Sequence, residues 1–114
     1  MNTMRIPTTH RTATVEVVDH FDMAIHGQTF TFAVHTHPQH GGPLTVAEFT
    51  TGRHVATLAV IYPADYRRAQ ARLAIVEARD TLGSEVLHMR LLTTLGEAAH
   101  LNTTHQLAQA VGHG

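Results

Sequence analysis

Between Thr14 and His35 the chain alternates apolar and polar positions. Val15-Glu16-Val17-Val18 reads as the start of a strand. Further on, Phe21, Met23 and Ile25 alternate with Asp22, Ala24 and His26, and Phe30, Phe32 and Val34 alternate with Thr31, Ala33 and His35. A period of two is that of a β-strand with one buried face, so these residues predict two strands. Gly27-Gln28 lies between them, and glycine at the first position of a two-residue connection suits a type II′ hairpin turn. Counting outward from that turn sets His26 opposite Thr29, Ile25 opposite Phe30, Met23 opposite Phe32, Phe21 opposite Val34 and His20 opposite His35. The apolar stripes then coincide, whereas a one-residue slip would mix the faces. The other face carries His20, Asp22, His26, Thr31 and His35.

Pro38 to Pro43 reads as a Gly-containing loop. Residues 44–49 and 54–61 predict a second hairpin turned by Thr50-Thr51-Gly52-Arg53. The run from Val55 to Ile61 is nearly all apolar, the pattern of a strand covered on both faces, and is the candidate central strand. From Pro63 the period lengthens: Tyr66, Ala69, Leu73 and Val76 recur at helical spacing and predict an amphipathic helix ending near Gly83. Ser84-Glu85 opens a second helix through Leu87, Leu91, Leu92 and Leu95, ending near Gly96. Residues 97–112 are Ala-rich, and Asn102 is placed to cap a last short helix. The expected fold is α+β: a four-stranded, mainly antiparallel sheet of two hairpins followed by two or three helices packed on one face. It forms one domain over 14–112, preceded by a loose arm over 1–13 that is polar, aperiodic and interrupted by Pro7.

Composition narrows the function. With 43% hydrophobic and 15% charged residues, the chain of 114 residues is that of a globular domain and not of a disordered one. The longest apolar stretch is too short to span a bilayer and the first residues hold no signal-like apolar run, so a non-secreted, cytoplasmic protein without a membrane partner is expected. The absence of cysteine removes disulfides, thiol nucleophiles and thiolate metal sites. A net charge of −1, no Trp and only two Tyr argue against nucleic acid as the partner. Eleven His are the compositional anomaly, and they make the net charge rise steeply as pH falls toward the acid side of neutrality.

The histidines concentrate in His35-Thr36-His37-Pro38-Gln39-His40. Residues two apart on a strand share a face, so His35 and His37 can reach one metal ion, with His20 across the ladder and Asp22 diagonal to it. Three imidazoles and a carboxylate make a zinc set. The same face, extended by His40, can instead serve as a hydrogen-bonding surface for a partner. A second surface is the stripe of Arg68, Arg72 and Arg79 on one side of the first helix, suited to phosphates or an acidic protein patch, or simply to solvent. No catalytic set is complete: Gly41-Gly42 lacks a phosphate-loop context and no Gly-x-Ser-x-Gly element occurs.

Two resemblances bear on these residues. His35 and His37, followed at matching distances by Thr45 and Glu48, resemble the signature of the JAMM-type zinc isopeptidases, with Thr in place of its Ser and Glu in place of its Asp ligand. That likeness implies a zinc-activated water with Glu16 as the upstream general base. The runs Phe32 to His35 and Gly41 to Ala56, followed by an Ala/Arg-rich helix, resemble small accessory proteins of bacterial phages and plasmids, of which the anti-CRISPR proteins inhibit host defence complexes. This second likeness implies a stoichiometric inhibitor or adaptor. The leading expectation is therefore a non-enzymatic protein, without cofactor, that binds another protein or protein complex through His20, Asp22, His35, His37, His40, Arg68, Arg72 and Arg79. The alternative is a zinc-binding module or JAMM-like hydrolase holding the metal on His35, His37 and His20. An edge strand able to pair across a two-fold axis adds a homodimer to the expected partners.

Overall fold

Aromatic and β-branched residues dominate the first half of the chain, and an antiparallel sheet forms there. The computed structural model describes residues 3–7, 12–36, 43–58, 64–92 and 102. Its strands are β1 (Thr3–Pro7), β2 (Thr12–Ile25), β3 (Gln28–His35), β4 (Thr45–Glu48) and β5 (His54–Thr57), followed by helices α1 (Ala64–Leu82) and α2 (Ser84–Leu92). The strands lie in the order β1-β2-β3-β4-β5, each antiparallel to its neighbours. The α+β class is as expected, but the described sheet has five strands and not four. The additional one, β1, lies within the stretch expected to be a loose arm. Only Met4 and Ile6 carry its apolar alternation, and Met4 is buried. Five residues are too few for a period of two to stand out.

The first hairpin turns one residue earlier than its glycine suggested. Ile25 pairs with Gln28, so the connection is His26-Gly27, and both residues have positive φ, 50° and 82°. That is the type I′ geometry, which matches the right-handed twist of the flanking strands. Phe21 therefore lies opposite Phe32, Met23 opposite Phe30 and His20 opposite Ala33, a shift of two residues from the expected register. A shift of two returns every side chain to its original face, so the coincidence of apolar stripes holds in both registers and could not choose between them. The Phe21 and Phe32 rings sit 5.9 Å apart between centroids.

A β-bulge then divides β2. Asp19 pairs with Val34 but Val17 pairs with His35, leaving Val18 as the extra residue. Before the bulge, odd-numbered residues face one side, and after it they face the other. Phe21 and Ile25 accordingly join Phe30, Phe32, Val34, Val46, Ala71, Ile75, Leu87 and Leu91 in the core under the helices. Val15 and Val17, with unchanged numbering parity, join Met4, Ala33, Ala47 and Phe49 in a second core on the opposite face. One long alternating strand thus serves two cores.

The second hairpin appears with its expected turn, but its second strand is not central. β5 lies at the sheet edge and is half-buried to exposed, whereas β3, the middle strand, is buried from Phe32 through His35. β1 reaches back to the β4–β5 turn. An ideal Cβ on Gly52, whose φ is +69°, would lie 2.5 Å from the Arg5 carbonyl oxygen and 2.9 Å from the Ile6 Cα. Only a residue without a Cβ fits there. Asn102 holds the same junction: its Oδ1 accepts from the Arg5 N–H at 2.9 Å, and its Nδ2 donates to the carbonyls of Arg5 at 2.7 Å and Phe49 at 2.9 Å. The side chain ties β1 to the end of β4, with the residue 1% exposed; the last short helix expected over 97–112 lies, apart from Asn102, outside the described residues.

α1 occupies its expected position but presents the reverse side to the sheet. Ala71 and Ile75 are buried, while Tyr66 and Leu73, expected on the core face, are 59% and 53% exposed. Two arginines line the flank of the helix that leans on β2. Arg68 donates to the Asp19 carboxylate from Nε at 3.1 Å and Nη2 at 2.8 Å, and the Arg72 guanidinium lies 4.9 Å from the centre of the Phe21 ring. With that flank leaning on β2, the Ala71–Ile75 side turns inward and Tyr66 and Leu73 turn out.

Candidate functional site

The histidine face of the first hairpin forms, but much of it is covered. His20, Asp22, Thr31, Ala33 and His35 do share the face turned away from the helices. Thr31 donates to Asp22 Oδ1 at 2.7 Å, completing an exposed cross-strand pair. His20 lies beside Ala33, with its backbone N–H bonded to Asp19 Oδ1 at 2.8 Å. His35, expected on the surface, is only 2% exposed, because the second core of β1 and the first part of β2 lies over this end of the face. Its Nδ1 is 2.6 Å from the Thr36 carbonyl oxygen, and its ladder partners are Val17 and Thr45, not His20. The hairpin-plus-bulge register therefore places His20 diagonal to His35 on the same face and not directly across the ladder. His37, His40 and the Gly41-Gly42 loop lie outside the described residues, and among the described residues no group of three or more His, Asp or Glu is arranged to hold a metal ion.

The residues matched to the isopeptidase signature disperse in the same way. Thr45 shares a face and a ladder rung with His35, but Glu48 is three positions along and lies on the other face, opposite Phe32. Its carboxylate closes the β4–β5 turn, accepting from the N–H groups of Thr50 at 3.2 Å and Thr51 at 3.1 Å and from the Thr51 hydroxyl at 3.3 Å. Burial pushes the Glu48 carboxyl above its ordinary range, and these donors offset only part of that effect. Glu16 is exposed between buried Val15 and Val17, so it points away from His35.

The arginine stripe turns out to hold the helix to the sheet. Besides Arg68 and Arg72, Arg79 lies 3.6 Å from Asp80 on its own helix. Asp19 is half-buried. Its desolvation raises its pKa, but the Arg68 hydrogen bonds and charge and the His20 N–H outweigh this and hold the carboxyl below its ordinary value. Val18, Asp19, Asp65, Arg67 and Arg68 line an open depression at the bulge. Its two carboxylates and two guanidiniums balance, so it carries no net charge with which to attract an ion.

What the sequence reading missed lies on the outward side of the helices. The exposed large hydrophobics among the described residues are Tyr66 and Leu73 on α1 and Val86, Met89 and Leu92 on α2, each 43% to 59% exposed. The strands contribute none of these. Asp65, Glu77, Asp80 and Glu85 are exposed on the same two helices, and helical geometry sets Glu77 beside Leu73, with Asp80 a further turn along, and Glu85 beside Met89. A signal was available: α2 buries Leu87 and Leu91 yet also carries Val86, Met89 and Leu92, and a helix apolar on all sides cannot bury every side against one sheet. A second feature missed is the meeting of His26 and His88, whose ring centroids are 5.4 Å apart where the hairpin turn touches α2. No protein-family model, curated protein or solved structure matches this chain.

Proposed function

We propose that this protein is a non-catalytic inhibitor or adaptor that binds another protein through the outward faces of α1 and α2. The observation carrying this reading is the position of Tyr66, Leu73, Val86, Met89 and Leu92, which remain in water while smaller Ala71 fills the core. Burying a side chain of that size contributes about 1.5–3 kcal/mol, so a partner that covers even three of them gains enough to offset part of the cost of association. The exposed carboxylates of Asp65, Glu77, Asp80 and Glu85 define the rest of the chemistry. The partner surface is an apolar groove or patch with a rim that is basic opposite α1 and carries an acidic group opposite exposed Arg90 of α2, the complement that also speeds encounter. Such a protein acts stoichiometrically, as the likeness to phage and plasmid accessory proteins implies.

The test places a photo-crosslinking residue at Leu73 or, as a control on the opposite face of the sheet, at Asp22, in a bacterial lysate. Crosslinks from position 73 that disappear in a Met89→Glu background, with none from position 22, are expected. Crosslinks from position 22 alone, or none from either, would overturn the proposal. Sedimentation of the purified chain separates a further outcome: a dimer that Leu73→Glu converts to a monomer would assign the face to a second copy of the chain and remove the case for a different partner.

A further inference from the structure

We propose that His26 and His88 form a two-histidine site for a borderline divalent transition-metal ion, of the zinc, nickel or copper type, at the joint between the first hairpin and α2. The inference stands apart from the docking face and from the His35–His40 segment, and rests on the geometry of two rings contributed by two different elements. Their centroids are 5.4 Å apart and their planes are inclined at 49°. A metal–nitrogen bond of about 2.0–2.1 Å, extended by roughly 1.1 Å to the ring centre, puts each centroid about 3.2 Å from a shared ion, and a tetrahedral angle then separates the centroids by about 5.2 Å. The observed spacing is that of two imidazoles already close to chelating distance.

Each ring also has a polar neighbour at one of its nitrogens. His88 Nε2 lies 3.0 Å from Gln28 Oε1, and an amide oxygen can only accept, so Nε2 carries the proton and Nδ1 keeps its lone pair. His26 Nδ1 lies 3.5 Å from the Ser84 hydroxyl, which can accept its proton and so leave the Nε2 lone pair for a metal. Outer hydrogen bonds of this kind fix ring orientation and tautomer in histidine metal sites. Position is restrained as well. The His88 ring stands edge-on to buried Phe30 at 5.9 Å, and His26 is held in the left-handed conformation of a two-residue turn, a place where Asn or Gly is the more comfortable residue. His26 is exposed and His88 half-buried, so an ion can reach them from solvent. No third His, Asp or Glu joins them among the described residues, so water would fill the remaining positions on a bound ion. A bound ion would clip the hairpin turn to α2, and the folded state would gain stability with free metal concentration.

The experiment titrates Zn(II), and separately Ni(II), into the untagged full-length chain, following heat of binding, the histidine ring resonances and the thermal midpoint. Four proteins are compared: the wild type, His26→Asn, which tolerates the turn conformation, His88→Gln, and a His37→Ala/His40→Ala variant. One ion per chain is expected in the wild type. Affinity should fall at least tenfold in His26→Asn and in His88→Gln, and the midpoint should rise on adding metal only in the wild type and the His37/His40 variant. The proposal is overturned by binding that survives both single substitutions, by binding lost with His37 and His40 instead, or by adventitious, unsaturable association only. Circular dichroism and the metal-free midpoint show that the variants are folded, so lost binding reports lost ligands.

Discussion

Gly52→Ala tests the junction that closes the second core. Two costs follow from the structure. Glycine adopts φ +69° here, and placing an L-residue in that region costs about 1–2 kcal/mol. The added methyl also has no room: its nearest neighbours are the Arg5 carbonyl oxygen at 2.5 Å, the Ile6 Cα at 2.9 Å and the Pro7 Cδ at 3.1 Å. Two of these atoms are backbone, so relief requires β1 to move away from the turn, and overpacking of this kind costs about 1–3 kcal/mol. Together the substitution should destabilise the fold by about 2–5 kcal/mol, a large share of the roughly 5–15 kcal/mol that holds a domain folded. The matched control is Gly27→Ala. Its φ is +82° but nothing lies within 4 Å of the new methyl, so only the conformational cost of about 1–2 kcal/mol applies. Urea unfolding of both variants gives the comparison, read from midpoints at constant slope. Equal destabilisation of the two would refute the reasoning, because it would mean that β1 does not rest on the turn.

Asn102→Ala strands the Arg5 N–H and the Arg5 and Phe49 carbonyls, and should cost about 2–4 kcal/mol with faster amide exchange in β1; unchanged protection of the Arg5 amide would contradict the clamp. Glu48 has its carboxyl pKa raised by burial, so its contribution is fully present below the unfolded value near pH 4.3 and is lost as pH rises through the higher folded value. The stability of the wild type relative to Glu48→Gln should accordingly decline as pH rises above about 4, and a flat or rising difference would contradict a desolvated carboxylate. Asp19 has the opposite sign: its folded pKa is lowered, so the stability it contributes is present above about pH 4 and lost on acidification below that. Because Arg68 is more than half exposed, Asp19→Asn should cost only about 0.2–1 kcal/mol at neutral pH, measured by the same unfolding titration.

Local periodicity determined a good deal of this protein. Alternation along β2 and β3, the Thr50–Arg53 turn and the change of period after Pro63 identify the elements, and the α+β class follows from their order. The same alternation correctly groups His20, Asp22, Thr31 and His35 on one face. What it could not supply was anything set by a neighbour distant in sequence. Registers differing by two residues give identical faces, so the His26-Gly27 turn and the loss of the His20–His35 pairing were decided by turn geometry and the bulge at Val18. Whether His35 is on the surface depends on β1 and the first part of β2 folding across it, and five residues with two apolar positions do not announce that role.

The helices show the limit most clearly. α1 has apolar residues at helical spacing on two sides, Tyr66-Ala69-Leu73-Val76 and Ala71-Ile75, and the richer stripe was the natural candidate for the core. The sheet took the other side, where Ala71 and Ile75 meet the core and Arg68 and Arg72 meet Asp19 and Phe21 on β2. A sequence states which faces a segment has. Which of them is buried, and which is left for a partner, is settled by contacts between elements, and those depend on distances that no single segment encodes.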